Sequence, residues 1–100
     1  MPPEGPAMPT QPLERKRVER KHEPPYKVLL HNDDHNTMDH VVGALIKSVP
    51  QLSAEQAASI MMEAHQTGVG LVIVAPLEHA EFYQERLQSF GLTVTLEPAE

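Results

Sequence analysis

The densest set of chemistry-bearing side chains is the run HNDDHNTMDH, residues 31–40, where Asp33 and Asp34 stand side by side next to the Asn32 amide and between the imidazoles of His31 and His35. Carboxylates, an amide oxygen and a neutral imidazole all accept hydrogen bonds, so the group suits a small cation rich in N–H donors, such as an ammonium. Two other readings compete with this one. Asn and Asp favour turns because their side chains bond the nearby backbone, which would make the cluster an Asx turn with solvated carboxylates. His31, Asp33, Asp34, His35, Asp39 and His40 are also metal ligands by type, which leaves a metal-binding module or a metal-dependent hydrolase as the rival function. No HExxH or comparable spacing organises them, so neither a dedicated metal site nor a cofactor is expected.

Other catalytic arrangements are missing from the sequence. There is no GxSxG, no Gly-rich phosphate loop and, with zero cysteines, no thiol nucleophile, Cys-ligated metal or disulfide framework. Asp33 and Asp34, as adjacent turn residues, have no evident geometry for flanking a scissile bond. The chain is expected not to be an enzyme. His65, one residue past an apolar helical stripe, is expected to be a partly buried ring satisfied by a neighbour.

These residues need elements to position them. YKVLLH, from Tyr26, is a short β-leaning run that Asn32, Asp33 and Asp34 end. Asn36 or Thr37 can cap a helix in which Met38, Val41, Val42, Leu45, Ile46 and Val49 recur at helical spacing, and Pro50 ends it. Ser53 and Gln56 form a capping box for a second helix with Ala57, Ile60, Met61 and Ala64 on one side, terminated at Gly68. Leu71 to Ala75 is a continuous apolar run suited to a buried central strand. Pro76 opens a third helix, with Ala80, Tyr83, Leu87 and Phe90 on one side and Gly91 closing it. In LTVTLE, Leu92, Val94 and Leu96 alternate with polar residues, as in an outer strand with one buried face. The expected fold is α+β: a compact two-layer domain in the order β-α-α-β-α-β, its three-stranded antiparallel sheet covered by three helices.

Composition bounds the rest. One hundred residues, 40% of them hydrophobic, allow one modest core. Seven of the ten prolines lie in residues 1–25, which lack apolar periodicity, so that segment is expected to be a flexible, disordered N-terminal arm and residues 26–100 the domain. Five basic residues against four glutamates give the arm +1, whereas three against ten give the rest −7. Such a domain repels nucleic acid. No stretch reaches the ~18 to 20 apolar residues of a membrane span and no secretory signal is visible, so a cytoplasmic protein without membrane contact is expected.

YKVLLHNDDHNTMDHVV, then IMMEAH, a glycine, an apolar strand and PLEHAEFY, resembles the ClpS family, adaptors of the bacterial Clp proteases, from about Tyr26 to Glu97. The resemblance implies a non-enzymatic adaptor, a monomer, that binds N-degrons, substrate proteins that begin with a bulky hydrophobic residue such as Leu, Phe, Tyr or Trp. It would deliver them to the N-terminal domain of a Clp AAA+ unfoldase of ClpA or ClpC type. By that resemblance Asn32, Asp34 and His65 hold the substrate's α-amino group, with Asp33 acting through water or the turn. Met38, Val41, Met61, Ala64 and Leu92 form the side-chain pocket, and Met38 is the gate against β-branched residues. Asn36 and Thr37 lie at the rim, Glu78 and Tyr83 on the face that docks the unfoldase, and the arm serves delivery. The chain departs from the familiar pattern in three places. His35, Asn36 and Thr37 stand where an aromatic and Thr-Pro are frequent, Ala64 where a larger aliphatic is common, and Tyr83 where a basic residue is frequent.

Overall fold

Burial along YKVLLH decides which face of the first strand meets the core. In the computed structural model, which describes residues 23–99, this run forms β1 (Tyr26–His31), with Val28 and Leu30 turned inward at 0% and 3% exposure. The remaining elements are α1 (Met38–Ser48), α2 (Ala54–Thr67), β2 (Val69–Ala75), α3 (Leu77–Ser89) and β3 (Thr93–Pro98). They follow the expected β-α-α-β-α-β order, and the sheet is antiparallel with strand order β2-β1-β3. The expected arm lies, up to residue 22, outside the described residues.

The helix ends are set by the capping chemistry in the sequence. Of the two candidate caps, Thr37 is the one used: its Oγ1 accepts from the His40 N–H at 3.1 Å. At α2 the capping box closes in both directions, with the Gln56 N–H donating to Ser53 Oγ and the Ser53 N–H to Gln56 Oε1. Gly68 ends α2 at φ 97°, a left-handed conformation open to glycine at no steric cost. The core between helices and sheet is built on Val28, Leu45, Val49, Ala57, Ala80 and Leu87, all fully buried.

One expectation is corrected. The run from Leu71 to Ala75 is not a buried central strand: β2 is an edge strand, and it starts two residues earlier, at Val69. Its inner side chains, such as Val72 at 5% exposure, pack toward the helices, while Val69, Leu71 and Val74 are 36%, 41% and 45% exposed on the uncovered face. A continuous apolar run records that both faces of a strand are apolar; it does not record how many strands flank it. Connectivity decided that instead: the α1–α2 excursion returns β2 along one side of β1, and α3 carries the chain across to put β3 along the other. Pairing also slips between Val28 and Leu29, leaving Val72 as an extra residue that bends this edge.

Candidate functional site

Where β1 runs out, the chain turns through Asn32–Asn36 before α1 starts, and this turn is fastened at both ends. The Asn32 N–H donates to the Gly68 carbonyl at 3.0 Å, tying the turn to the end of α2. At the other end the Asn36 side-chain amide donates to the Gly91 carbonyl at 3.1 Å, tying it to the α3–β3 connection. The neighbouring aspartates have different environments. Asp33 Oδ1 accepts from the His35 N–H at 2.9 Å and the Asn36 N–H at 3.1 Å, and both its oxygens lie 3.1 Å from Asn36 Nδ2. The Asx-turn reading therefore describes Asp33. Asp34, by contrast, is exposed and makes no side-chain hydrogen bond to another described residue.

Asp34, Asn32 and His65, all exposed, line a cavity of about 230 Å³. His65 is exposed and its ring makes no hydrogen bond to another described residue, which corrects the expectation of a partly buried, satisfied ring. The physical reason is its place in the last turn of α2, on the polar side of a helix whose buried stripe is Ala57, Ile60 and Ala64. The apolar part of the lining grades in exposure: Ala64 and Leu92 are buried, Val41 and Met61 half-buried, and Met38 is 45% exposed. Asn36 lines the same cavity, so every residue expected for amine binding or for the pocket borders a single space, drawn from the turn, α1, α2 and the residue before β3. Thr37, expected at the rim, is not in the lining; its hydroxyl is occupied as the α1 cap.

Leu30 and His31 also line the cavity; neither was expected for amine binding or the pocket, and His31 was considered only as a metal ligand by type. The signal was present in β1, whose alternation turns Leu30 inward at the strand end nearest the turn. His31 Nε2 lies 2.7 Å from Thr95 Oγ1, so its ring leans across the sheet. The helix packing that brings Ala64 and His65 to this place depends on Gly70: a Cβ there would lie 2.6 Å from the Ile60 carbonyl oxygen and 3.2 Å from the Ala64 nitrogen. Only a residue without a side chain lets α2 approach β2 so closely.

The two residues expected on a docking face are separated by burial. Glu78 is exposed in the first turn of α3, but Tyr83 is only 8% exposed, its hydroxyl accepting from Gln51 Nε2 at 2.8 Å. Tyr83 follows the core stripe of α3 and presents little surface to a partner. The exposed aromatic next to it is Phe82, 52% exposed with the Arg86 guanidinium 5.9 Å from its ring centre. Among the described residues no three His, Asp or Glu side chains are grouped so as to hold a metal ion, and no helix is long and apolar enough to cross a membrane.

Comparison with known proteins places this geometry. The sequence profile of the family described as "ATP-dependent Clp protease adaptor protein ClpS" matches residues 21–95. The chain belongs to the ClpS family. It is 55% identical over 91 residues to the ATP-dependent Clp protease adapter protein ClpS of Gloeobacter violaceus, covering 91% of this chain and 98% of that protein. To the ClpS of Synechococcus sp. (strain CC9902) it is 57% identical over 81 residues, covering 81% and 78%. Among solved structures it is similar to Agrobacterium tumefaciens ClpS2 bound to L-phenylalaninamide, with a TM-score of 0.72, 29% identity, and coverage of 77% of this chain and 99% of that one. The chain is thus an adaptor of the Clp protease system, acting in protein degradation, and its α+β architecture is the ClpS fold.

Proposed function

We propose that this ClpS adaptor captures substrate proteins by a bulky hydrophobic N-terminal residue, Leu, Phe, Tyr or Trp, seated in the cavity beneath the Asn32–Asn36 turn. The observation that carries this reading is that Asn32, Asp34 and His65, whose side chains have no hydrogen-bond partner among the described residues, line one cavity with Leu30, Met38, Val41, Met61, Ala64 and Leu92. At about 230 Å³ the hole falls below the ~300–1,000 Å³ of sites for drug-sized ligands and suits one side chain. A free α-amine, with a pKa of about 7.7–8.0, is largely cationic at neutral pH, whereas an internal amide is not, so the acceptors read the start of a chain. Charge-assisted hydrogen bonds contribute roughly 1.5–3 kcal/mol each and burial of a Leu or Phe side chain about as much, from which the cost of association is subtracted. L-phenylalaninamide, the ligand of the similar Agrobacterium protein, carries the same two features, a free amine and a bulky side chain, which supports the reading.

In this reading Asp33 acts by holding the turn, Met38 acts as the gate, and residues 1–25 form the extension that serves delivery from the domain at 26–100. The captured substrate passes to the N-terminal domain of a ClpA- or ClpC-type unfoldase, docked near Glu78, and the monomeric adaptor works in the cytoplasm. The test is a calorimetric titration with Leu- and Phe-initiated peptides, free and N-acetylated, with and without chelator. Much tighter binding of the free forms than of the acetylated ones, unaffected by chelator, is expected. Equal binding of the acetylated peptides would refute amine recognition, and loss of binding with chelator would favour a metal-dependent module.

A further inference from the structure

We infer that Asn36 is a positioning residue that fixes the distance between the amine-binding turn and the pocket wall at Leu92, and so sets how strictly the adaptor demands an amine and a side chain in register. The inference rests on the proposed function and goes one step beyond it, to a side chain that need not touch the amine. The Asn36 amide bridges two parts of the chain 55 residues apart: Nδ2 lies 3.1 Å from each Asp33 oxygen and 3.1 Å from the Gly91 carbonyl oxygen. One partner is the anchor of the turn that presents Asn32 and Asp34. The other belongs to the residue directly before Leu92, which is 5% exposed and lines the cavity. Gly91 holds its carbonyl there at φ 87°, a conformation that favours glycine. Asn36 is half-buried, and a donor bridging a carboxylate to a carbonyl is a stronger fastening than an exposed neutral contact.

A second fastening serves as the internal control. His40 Nε2 donates to the Phe90 carbonyl at 2.7 Å, holding the same loop to α1 without touching Asp33. Loosening the loop alone and uncoupling it from the turn are therefore separable.

The experiment measures melting temperature and the affinities of free and N-acetylated Phe- and Leu-initiated peptides for wild type, Asn36→Ala, Asn36→Asp and His40→Ala. Asn36→Asp keeps the shape but removes both N–H donors. Both Asn36 variants are expected to shrink the free-to-acetylated affinity ratio by roughly ten-fold, the order of one hydrogen bond to a charged group. His40→Ala is expected to lower the melting temperature and keep the ratio. A merely structural Asn36 would lower the melting temperature and leave the ratio of the folded protein at its wild-type value, which would overturn the inference. So would an equal fall in the ratio for His40→Ala. Should wild type itself bind neither free peptide, the proposed function fails and this inference with it, whereas wild-type binding with unchanged ratios in the Asn36 variants sinks only the positioning role.

Discussion

The pocket mouth and the uncovered face of the sheet expose apolar side chains to the same degree, Met38 at 45% on the first and Val74 at 45%, with Leu71 at 41%, on the second. Exposure alone would rank them equally. What differs is the polar company. Around Met38, the side chains of Asn32, Asp34 and His65 border one cavity and have no hydrogen-bond partner among the described residues. On the sheet face two polar pairs cross between strands: Lys27 is 4.0 Å from Glu97, and His31 Nε2, whose residue also borders the cavity, lies 2.7 Å from Thr95 Oγ1. Isolated exposed hydrophobic residues are ordinary on a protein surface, whereas concavity joined to unsatisfied acceptors is the mark of a binding site.

The comparison breaks most sharply at Asp34. Replacing it with Ala is expected to weaken a Leu-initiated peptide by roughly 10- to 100-fold, the range of a hydrogen bond between charged groups, and to leave the weak affinity of the acetylated peptide unchanged. Fluorescence titration of the two peptides checks this. Equal losses would mean that the carboxylate shapes the turn rather than meeting the amine.

A second substitution acts on the scaffold behind the mouth. Gly70→Ala puts a Cβ 2.6 Å from the Ile60 carbonyl oxygen, which is backbone and cannot swing away, so α2 must move off β2. Overpacking of this kind costs about 1–3 kcal/mol. Each kcal/mol corresponds to roughly 4–8 °C of melting temperature in a domain of this size. Because α2 carries Met61, Ala64 and His65, peptide affinity is expected to fall along with stability, as thermal melts and titration of the same sample would show. Retained affinity at a lowered melting temperature would show that the pocket tolerates movement of α2.

Much of this was legible in the sequence where the signal is local. The Ser53–Gln56 capping box, Gly68 at φ 97° and the helical spacing from Met38 to Val49 each depend on residues within a few positions of one another, and the structure follows them. The turn at Asn32–Asp34 was equally plain, because Asn and Asp at the end of an apolar run bend the chain by their own side chains. Long-range choices were not legible. Nothing within VGLVIVA distinguishes an edge strand from a central one, since that depends on where β1 and β3 come to lie. Residue type and spacing alone did not tell Asp33 from Asp34, which only the family resemblance separated, because the difference is which carboxylate the turn folds back upon, decided by Asn36 three residues on. Tyr83 shows a conflict between two sequence signals: its spacing with Ala80 and Leu87 placed it in the core, the family resemblance placed it on a docking face, and the spacing matches its burial.

The smallest effects come from a matched pair that isolates the comparison itself. Met38→Ala and Val74→Ala each truncate an apolar side chain of equal fractional exposure, so loss of packing is expected to be slight for both. Their consequences for selectivity differ if the open side of the cavity is a gate. Removing the Met38 side chain relieves a steric barrier rather than a hydrophobic preference, so peptides that begin with Ile or Val are expected to gain several-fold in affinity while Leu-initiated peptides change little, because specificity by exclusion is lost when the excluding group is removed. Val74→Ala is expected to leave all four affinities, for Leu, Phe, Ile and Val, within about two-fold of wild type, since Val74 is not part of the cavity lining. A rank order unchanged by Met38→Ala would shift exclusion of β-branched residues to the walls formed by Val41 and Met61. A changed rank order in Val74→Ala would mean that the two faces communicate through β2, and that equal exposure had concealed a shared role.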